Sequence, residues 1–183
     1  MPIMSYRPSN HLSAALIGFL IFLTPCVLLI PEIFREDLGI SNYGINRLTA
    51  APYSLGFLTS AYCTWRAAGL LRQPRFGWGL RAVAILQLAL LLVPDSRIDS
   101  IRHLHVGIGM TLFVIEFCLS AWLVSKIRHE FIDGAILSLQ ALAGLSAFFS
   151  LGQLLPFEAP SQLLFQIAFM GLCIRSARGL EQR

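Results

Sequence analysis

LSAALIGFLIFLTPCVLLI, residues 12–30, runs nineteen positions without a formal charge, and its length settles what kind of fold this chain can have. About 20 apolar residues wound into a helix match the ~30 Å hydrocarbon thickness of a bilayer. Working outward from it, five further apolar stretches follow at 48–71, 76–93, 104–125, 132–155 and 161–177, separated by short charged turns. The runs are continuously apolar and about twice the length of an alternating barrel strand, which predicts helices rather than a barrel. The expected fold is therefore all-α: one polytopic transmembrane domain over residues 1–183, a six-helix bundle with Pro25, Pro52 and Pro156 kinking or capping its helices.

Composition agrees. Only 13% of the 183 residues are charged and the mean hydropathy is +0.68, against about 25% charged in an ordinary soluble domain. Six spans and their turns use up the length, leaving no room for a soluble domain. The net charge of +4 does not read as a nucleic-acid surface, because the arginines stand at the ends of apolar runs and form no basic patch with interleaved aromatics. Cys26, Cys63, Cys118 and Cys173 all fall inside apolar runs with no C-x-x-C spacing, and read as small buried hydrophobes. The first run is longer than a secretory h-region and ends Leu28-Leu29-Ile30-Pro31-Glu32 without a small-residue cleavage site, so a retained helix is expected.

Orientation follows from the basic residues. With the N-terminus inside, ten of the fourteen Lys and Arg fall on the cytoplasmic side, and Arg35, Arg47, Arg97 and Arg102 fall outside. A bias of that size in short loops predicts cytoplasmic N- and C-termini in a cell membrane, the inner membrane if the source is bacterial. Trp65, Trp78 and Trp122 then all reach the inner interface, where an amphipathic indole is favoured. Six of the ten acids, among them Glu32, Asp95, Asp99 and Glu158, collect outside.

Glu116 stands about halfway along the fourth run, where a carboxylate costs about 2.5 kcal/mol or more. Helical spacing puts His105, Gly109, Leu112, Glu116 and Ser120 on one stripe, expected to face the bundle interior. His105 and Glu116 are eleven residues apart, roughly 16 Å along a helix, too far for a direct bond. A proton path between them would need water or a neighbouring amide such as Gln87, Gln140, Gln153 or Gln166. The plainer alternative is a protonated Glu116 hydrogen-bonded to one of those amides as helix glue.

The outer mouth of the fourth run carries Asp95, Asp99, Arg102, His103 and His105. His-x-His invites a metal reading, yet on a helix residues two apart point about 200° from one another, and ion pairing or capping explains the cluster without metal. Haem needs axial histidines on different helices at similar depth, a pattern the four histidines do not form. No metal and no cofactor is expected. Residues 32–47 form the longest loop, which either folds over the outer end as a lid, with Arg47 pairing Asp95 or Asp99, or is a solvated connector.

Ile40-Ser41-Asn42-Tyr43-Gly44 leading into the second run, Val93-Pro94-Asp95 closing the third, and His103 or His105 opening the fourth resemble the uncharacterised six-helix membrane family known as domain of unknown function 998. The resemblance covers nearly the whole chain. It implies a six-span fold with polar residues gathered at the outer face, and it implies no activity. The chain departs from that pattern before the sixth run, where Phe157-Glu158-Ala159-Pro160 replaces a Gly-rich, Arg-bearing segment.

Three functions fit these features. The chain could bind a lipid or small molecule in an outward-facing intramembrane cavity lined by the fourth-run stripe. It could be an accessory subunit packing against a larger membrane complex, for which Gly134 with Ser138, Ala143 with Ala147 and Ser146 with Ser150 offer close-packing spacings. It could be a membrane enzyme using Glu116 and His105 as acid and base. Membrane lipids and other membrane subunits are the expected partners, and nucleic acid is not.

The charge bias makes a direct prediction. In a Cys-free background on intact cells, a single Cys at position 97 should react with an impermeant thiol reagent and one at position 73 should be shielded. The reverse pattern would invert the topology.

Overall fold

Proline opens three of the helices. Pro8, Pro31 and Pro74 each stand at the first helical position, where the missing N–H would have had no intrahelical acceptor. The computed structural model describes residues 7–35, 38–95, 98–127, 130–151 and 157–182, and within them the chain forms helices joined by turns, with no strand. In chain order the helices are α1 (Pro8–Leu29), α2 (Pro31–Arg35), α3 (Asn42–Ile45), α4 (Ala50–Leu70), α5 (Pro74–Leu92), α6 (Asp99–Lys126), α7 (Phe131–Leu151) and α8 (Glu158–Glu181). Pro25 lies inside α1 and Pro52 in the first turn of α4. Pro156 and Gln153 lie outside the described residues.

Five of the six long helices, α1, α5, α6, α7 and α8, are long and apolar enough to cross a membrane; α4 is the exception, which corrects the expected six by this measure. The reason is visible in its packing. Beyond Tyr53 and Phe57 its buried face is made of small residues, Gly56, Ser60, Ala61, Thr64, Ala67 and Ala68, set against α1 and α5, while Leu55, Leu58, Tyr62 and Trp65 face outward. Close approach requires those small residues: a Cβ at Gly56 would come 3.2 Å from the Phe22 side chain. Small residues inside and large apolar ones outside reverse the pattern of a water-soluble helix.

The same reversal runs round the bundle. Ile17, Ile21 and Leu28 of α1, Leu142 and Leu145 of α7, and Leu88 and Leu92 of α5 point outward, forming an apolar exterior far larger than the patches soluble monomers tolerate. The core has two storeys. One joins Leu12, Phe76, Leu80, Leu123, Phe169 and Cys173; the other joins Phe19, Leu23, Cys26, Tyr43, Tyr53 and Phe57.

The start of α1 and the end of α8 lie together, because the Ser9 backbone N–H and hydroxyl both donate to the Glu181 carboxylate at 2.9 Å. Beyond them at the same end, Arg175 of α8 donates from Nε to Asp133 at 2.6 Å and from Nη2 to Glu130 at 2.9 Å, tying α8 to α7. Ala143, Ala147 and Ser150 are buried, and Ser161 donates to Ser146 at 2.9 Å. These small residues of α7 serve its packing on α8. Gly134 and Ser138 do not, since a Cβ at Gly134 would project into open space and Ser138 is exposed.

The α4–α5 hairpin is sensitive to one position. A Cβ at Gly77 would sit 2.9 Å from the Ala68 carbonyl oxygen, a backbone atom that cannot swing aside. Gly77→Val should therefore destabilise the folded protein in detergent by about 1–3 kcal/mol, the range for overpacking. The control Gly69→Ala, where a Cβ would meet open space, should lack that loss.

Candidate functional site

The loop after α2 folds over one end of the bundle. Tyr43 is fully buried, its hydroxyl donating to the Ile30 carbonyl at 3.3 Å, and Thr49 donates to the Tyr43 carbonyl at 2.8 Å. Burial pushes the Tyr43 phenol up to about 12, so it remains a neutral donor at physiological pH. The Ile40 N–H donates to Gln162 of α8 at 3.0 Å, and Gln162 in turn donates to Glu158 at 2.9 Å. Gly39 packs closely at this crossing: a Cβ there would lie 2.5 Å from Glu158 Oε1 and displace that side chain. Of the two readings of this loop, the cap is the one found.

Beneath one side of the cap, a cleft of about 820 Å³ opens between α6 and α7. These neighbours touch sparsely, because α7 packs on α8 instead. Phe113 of α6 and Phe165 of α8, with ring centroids 4.3 Å apart, stand among its lining residues where the two helices meet. The cleft has two chemistries. Asn42, Asp95, Arg102, His105, Glu158 and Gln162 line its mouth under the cap, while Val114, Phe117, Cys118, Leu145 and Phe148 line its flank. Cys118 is exposed there, which corrects its expected burial; it sits on the side of α6 that faces the gap. All four cysteines are free thiols.

A smaller chamber of about 90 Å³ shares Ser41, His105, Gly109, Phe113 and Gln162 with the cleft and continues inward to Ser60, Gln87 and Gln166. His105 stands at the junction. Its Nδ1 lies 2.6 Å from the Val93 carbonyl oxygen. A carbonyl can only accept, so Nδ1 carries the proton, and in the neutral ring Nε2 is left as an acceptor. The same contact occupies a carbonyl at the C-terminal end of α5 that has no helical donor.

Glu116 is fully buried and its Oε2 accepts from Gln166 Nε2 at 2.6 Å, so of the four amides considered it is Gln166 that meets it. Gln140 is buried on α7 without a partner for its amide, and Gln87 turns to the chamber. Leu112, Glu116 and Ser120 are buried with His105 on one stripe of α6, and Gly109 lines both cavities. Glu116 lines neither, so the structure does not bring it together with His105 in one cavity.

The cluster before and at the start of α6 divides. Asp95, Arg102 and His105 all line the cleft. Asp99 and His103 are exposed on the first turns of α6, and because this stretch is helical His103 and His105 diverge. Arg47 is exposed and lines neither cavity, and among the described residues no ion pair within 4 Å joins it to Asp95 or Asp99. The anticipated pairing is not formed. Arg97 lies outside the described residues. No three His, Cys, Asp or Glu side chains among the described residues come together as a metal would require.

Gln162 escaped the sequence reading and Glu158 entered it only as one of the acids collected at one end, although Glu158, Gln162 and Gln166 recur every four residues on one face of α8. That polar stripe on an apolar helix was the available signal. Comparison with protein-family models, curated proteins and solved structures finds no match to this chain.

If Glu116 is a neutral acid held by an amide, Glu116→Gln keeps an acceptor for Gln166 and should change stability in detergent by less than about 1 kcal/mol. Gln166→Leu strands a buried carboxyl and should cost about 1–3 kcal/mol. Equal, large losses in both would show that the negative charge itself is required.

Proposed function

We propose that this chain is a six-pass protein of the cell membrane that binds a lipid or lipid-like amphiphile in the cleft between α6 and α7, head group at the capped mouth and acyl portion along the apolar flank. The observation that carries the reading is the cleft's division into a polar end and an apolar side wall. Its volume of about 820 Å³ falls within the usual 300–1,000 Å³ of ligand sites. Arg102 suits a phosphate or carboxylate and Asp95 an amine, so a zwitterionic head is matched at both charges. A partner helix would have use for the apolar flank and none for the charged mouth, which ranks the accessory-subunit reading second. Acid–base catalysis by Glu116 with His105 is not favoured, since Glu116 lines neither cavity.

Six crossings with both termini cytoplasmic belong to the same proposal. They are supported by the basic bias of that end, by the contact of Ser9 with Glu181, which an even number of crossings explains, and by the outward apolar face of α4. The resemblance to domain of unknown function 998 fits a polar outer face and adds no activity.

Filling the cleft tests the function. Val114→Trp and Leu145→Trp place an indole in the flank from either side, and native mass spectrometry from mild detergent should then find less co-purifying lipid while the melting temperature stays near that of the parent. Unchanged lipid retention in both variants would reject the site. A photoreactive side chain at position 145 should crosslink to lipid in whole membranes; crosslinking to another polypeptide instead would favour the subunit reading.

A further inference from the structure

The end of the bundle opposite the cap holds a charge problem. Arg66, Arg72, Arg75 and Arg81 lie on the α4–α5 hairpin, and residues 38–94 contain no Asp or Glu. The acids of that end are engaged elsewhere: Glu130 and Asp133 on Arg175, and Glu181 on Ser9. Among the described residues no carboxylate lies within 4 Å of any of the four arginines. Four cations beside an apolar wall without an internal counter-ion call for an external anion.

Arg81 is the most constrained of them. It stands seven residues into α5, roughly 10 Å deeper than the start of the helix at Pro74. A guanidinium at that depth must reach back toward the interface. Its Cζ lies 4.9 Å from the ring centroid of Trp78 and 5.6 Å from that of Trp65, so indoles from both helices of the hairpin flank it. Both indoles are largely exposed, 67% for Trp78 and 47% for Trp65, and Arg81 Nε is buried without a partner. Ring faces stabilise the cation while leaving the guanidinium without the acceptor oxygens its planar fork is shaped for. Arg66, one residue from Trp65, is exposed against Tyr62, and Arg72 and Arg75 are exposed around the turn.

We propose that this Arg–Trp cluster is a binding site for the phosphodiester head of an anionic phospholipid in the leaflet at the Arg-rich end of the bundle. The indoles lie at the acyl boundary, Arg81 accepts the phosphate from the membrane side, and Arg66, Arg72 and Arg75 supply the field that selects a net negative head over a zwitterionic one. The site is separate from the α6–α7 cleft and does not depend on what occupies that cleft.

The tryptophans report on it directly. Trp122→Phe leaves Trp65 and Trp78 as the only indoles. Reconstituted in phosphatidylcholine vesicles, this protein should be quenched more strongly by brominated phosphatidylglycerol than by brominated phosphatidylcholine at equal mole fraction, with a roughly fivefold preference for each arginine engaged. Arg81→Gln should lower the preference by roughly fivefold. Equal quenching of the parent by the two lipids, or a preference left unchanged by Arg81→Gln, overturns the proposal. Should Arg81→Gln fail to fold, the exposed double variant Arg72→Gln/Arg75→Gln is read by the same rule. Inorganic phosphate added to the detergent-solubilised protein should leave the emission unchanged; a phosphate-dependent shift matching that of the lipid would make this a free-phosphate site and overturn the lipid assignment.

Discussion

An apolar surrounding gives a polar side chain no solvent to bond with, so a bond to another helix counts for most there, and several polar groups of the bundle make one. The Glu116–Gln166 bond joins α6 to α8, the His105–Val93 contact joins α6 to the end of α5, and Arg175 with Asp133 joins α8 to α7. Ser161 with Ser146 adds a second α7–α8 tie. Apolar contact alone distinguishes poorly between one helix partner and another when lipid tails are equally apolar. These few bonds mark out the α6–α8, α5–α6 and α7–α8 pairings.

The cleft follows from those pairings. With α7 committed to α8 through small residues and hydrogen bonds, α6 is held by α5 and α8, and the α6–α7 flank stays open. The cap closes the end above it, because Ile40 and Tyr43 bury into the core between α1, α4 and α8 while Leu38, Gly39 and Asn42 remain at the mouth. The two ends of the molecule thus differ in kind: one gathers acids, amides and a histidine around an opening, and the other gathers arginines and indoles around a surface.

Much of this was legible in the residues. Long uncharged runs predict helices because a backbone without water must bond to itself, and α1, α5, α6, α7 and α8 overlap the stretches expected. Glu116 is conspicuous in sequence because a carboxylate amid apolar residues demands compensation. The expected run at 48–71 is likewise a helix, α4 (Ala50–Leu70), and what departs from expectation is that it falls short of the other five in apolarity. The exposure of Cys118 was hidden: an apolar run does not say which of its sides meets a neighbour and which meets a gap.

The sequence by itself determined the helical class, the approximate spans, the contrast in charge between the two ends, and the stripe of α6 carrying His105 and Glu116. These depend on local hydropathy and on the period of the helix, which neighbouring residues settle among themselves. Only the tertiary structure decided that Gln166 is the partner of Glu116, that residues 38–47 form a cap, that Arg47 makes no ion pair with Asp95, and that α6 and α7 part to leave a cleft. Those outcomes depend on which helix lies beside which, and helix adjacency arises from contacts between residues such as Glu116 and Gln166, fifty positions apart, that no local pattern encodes.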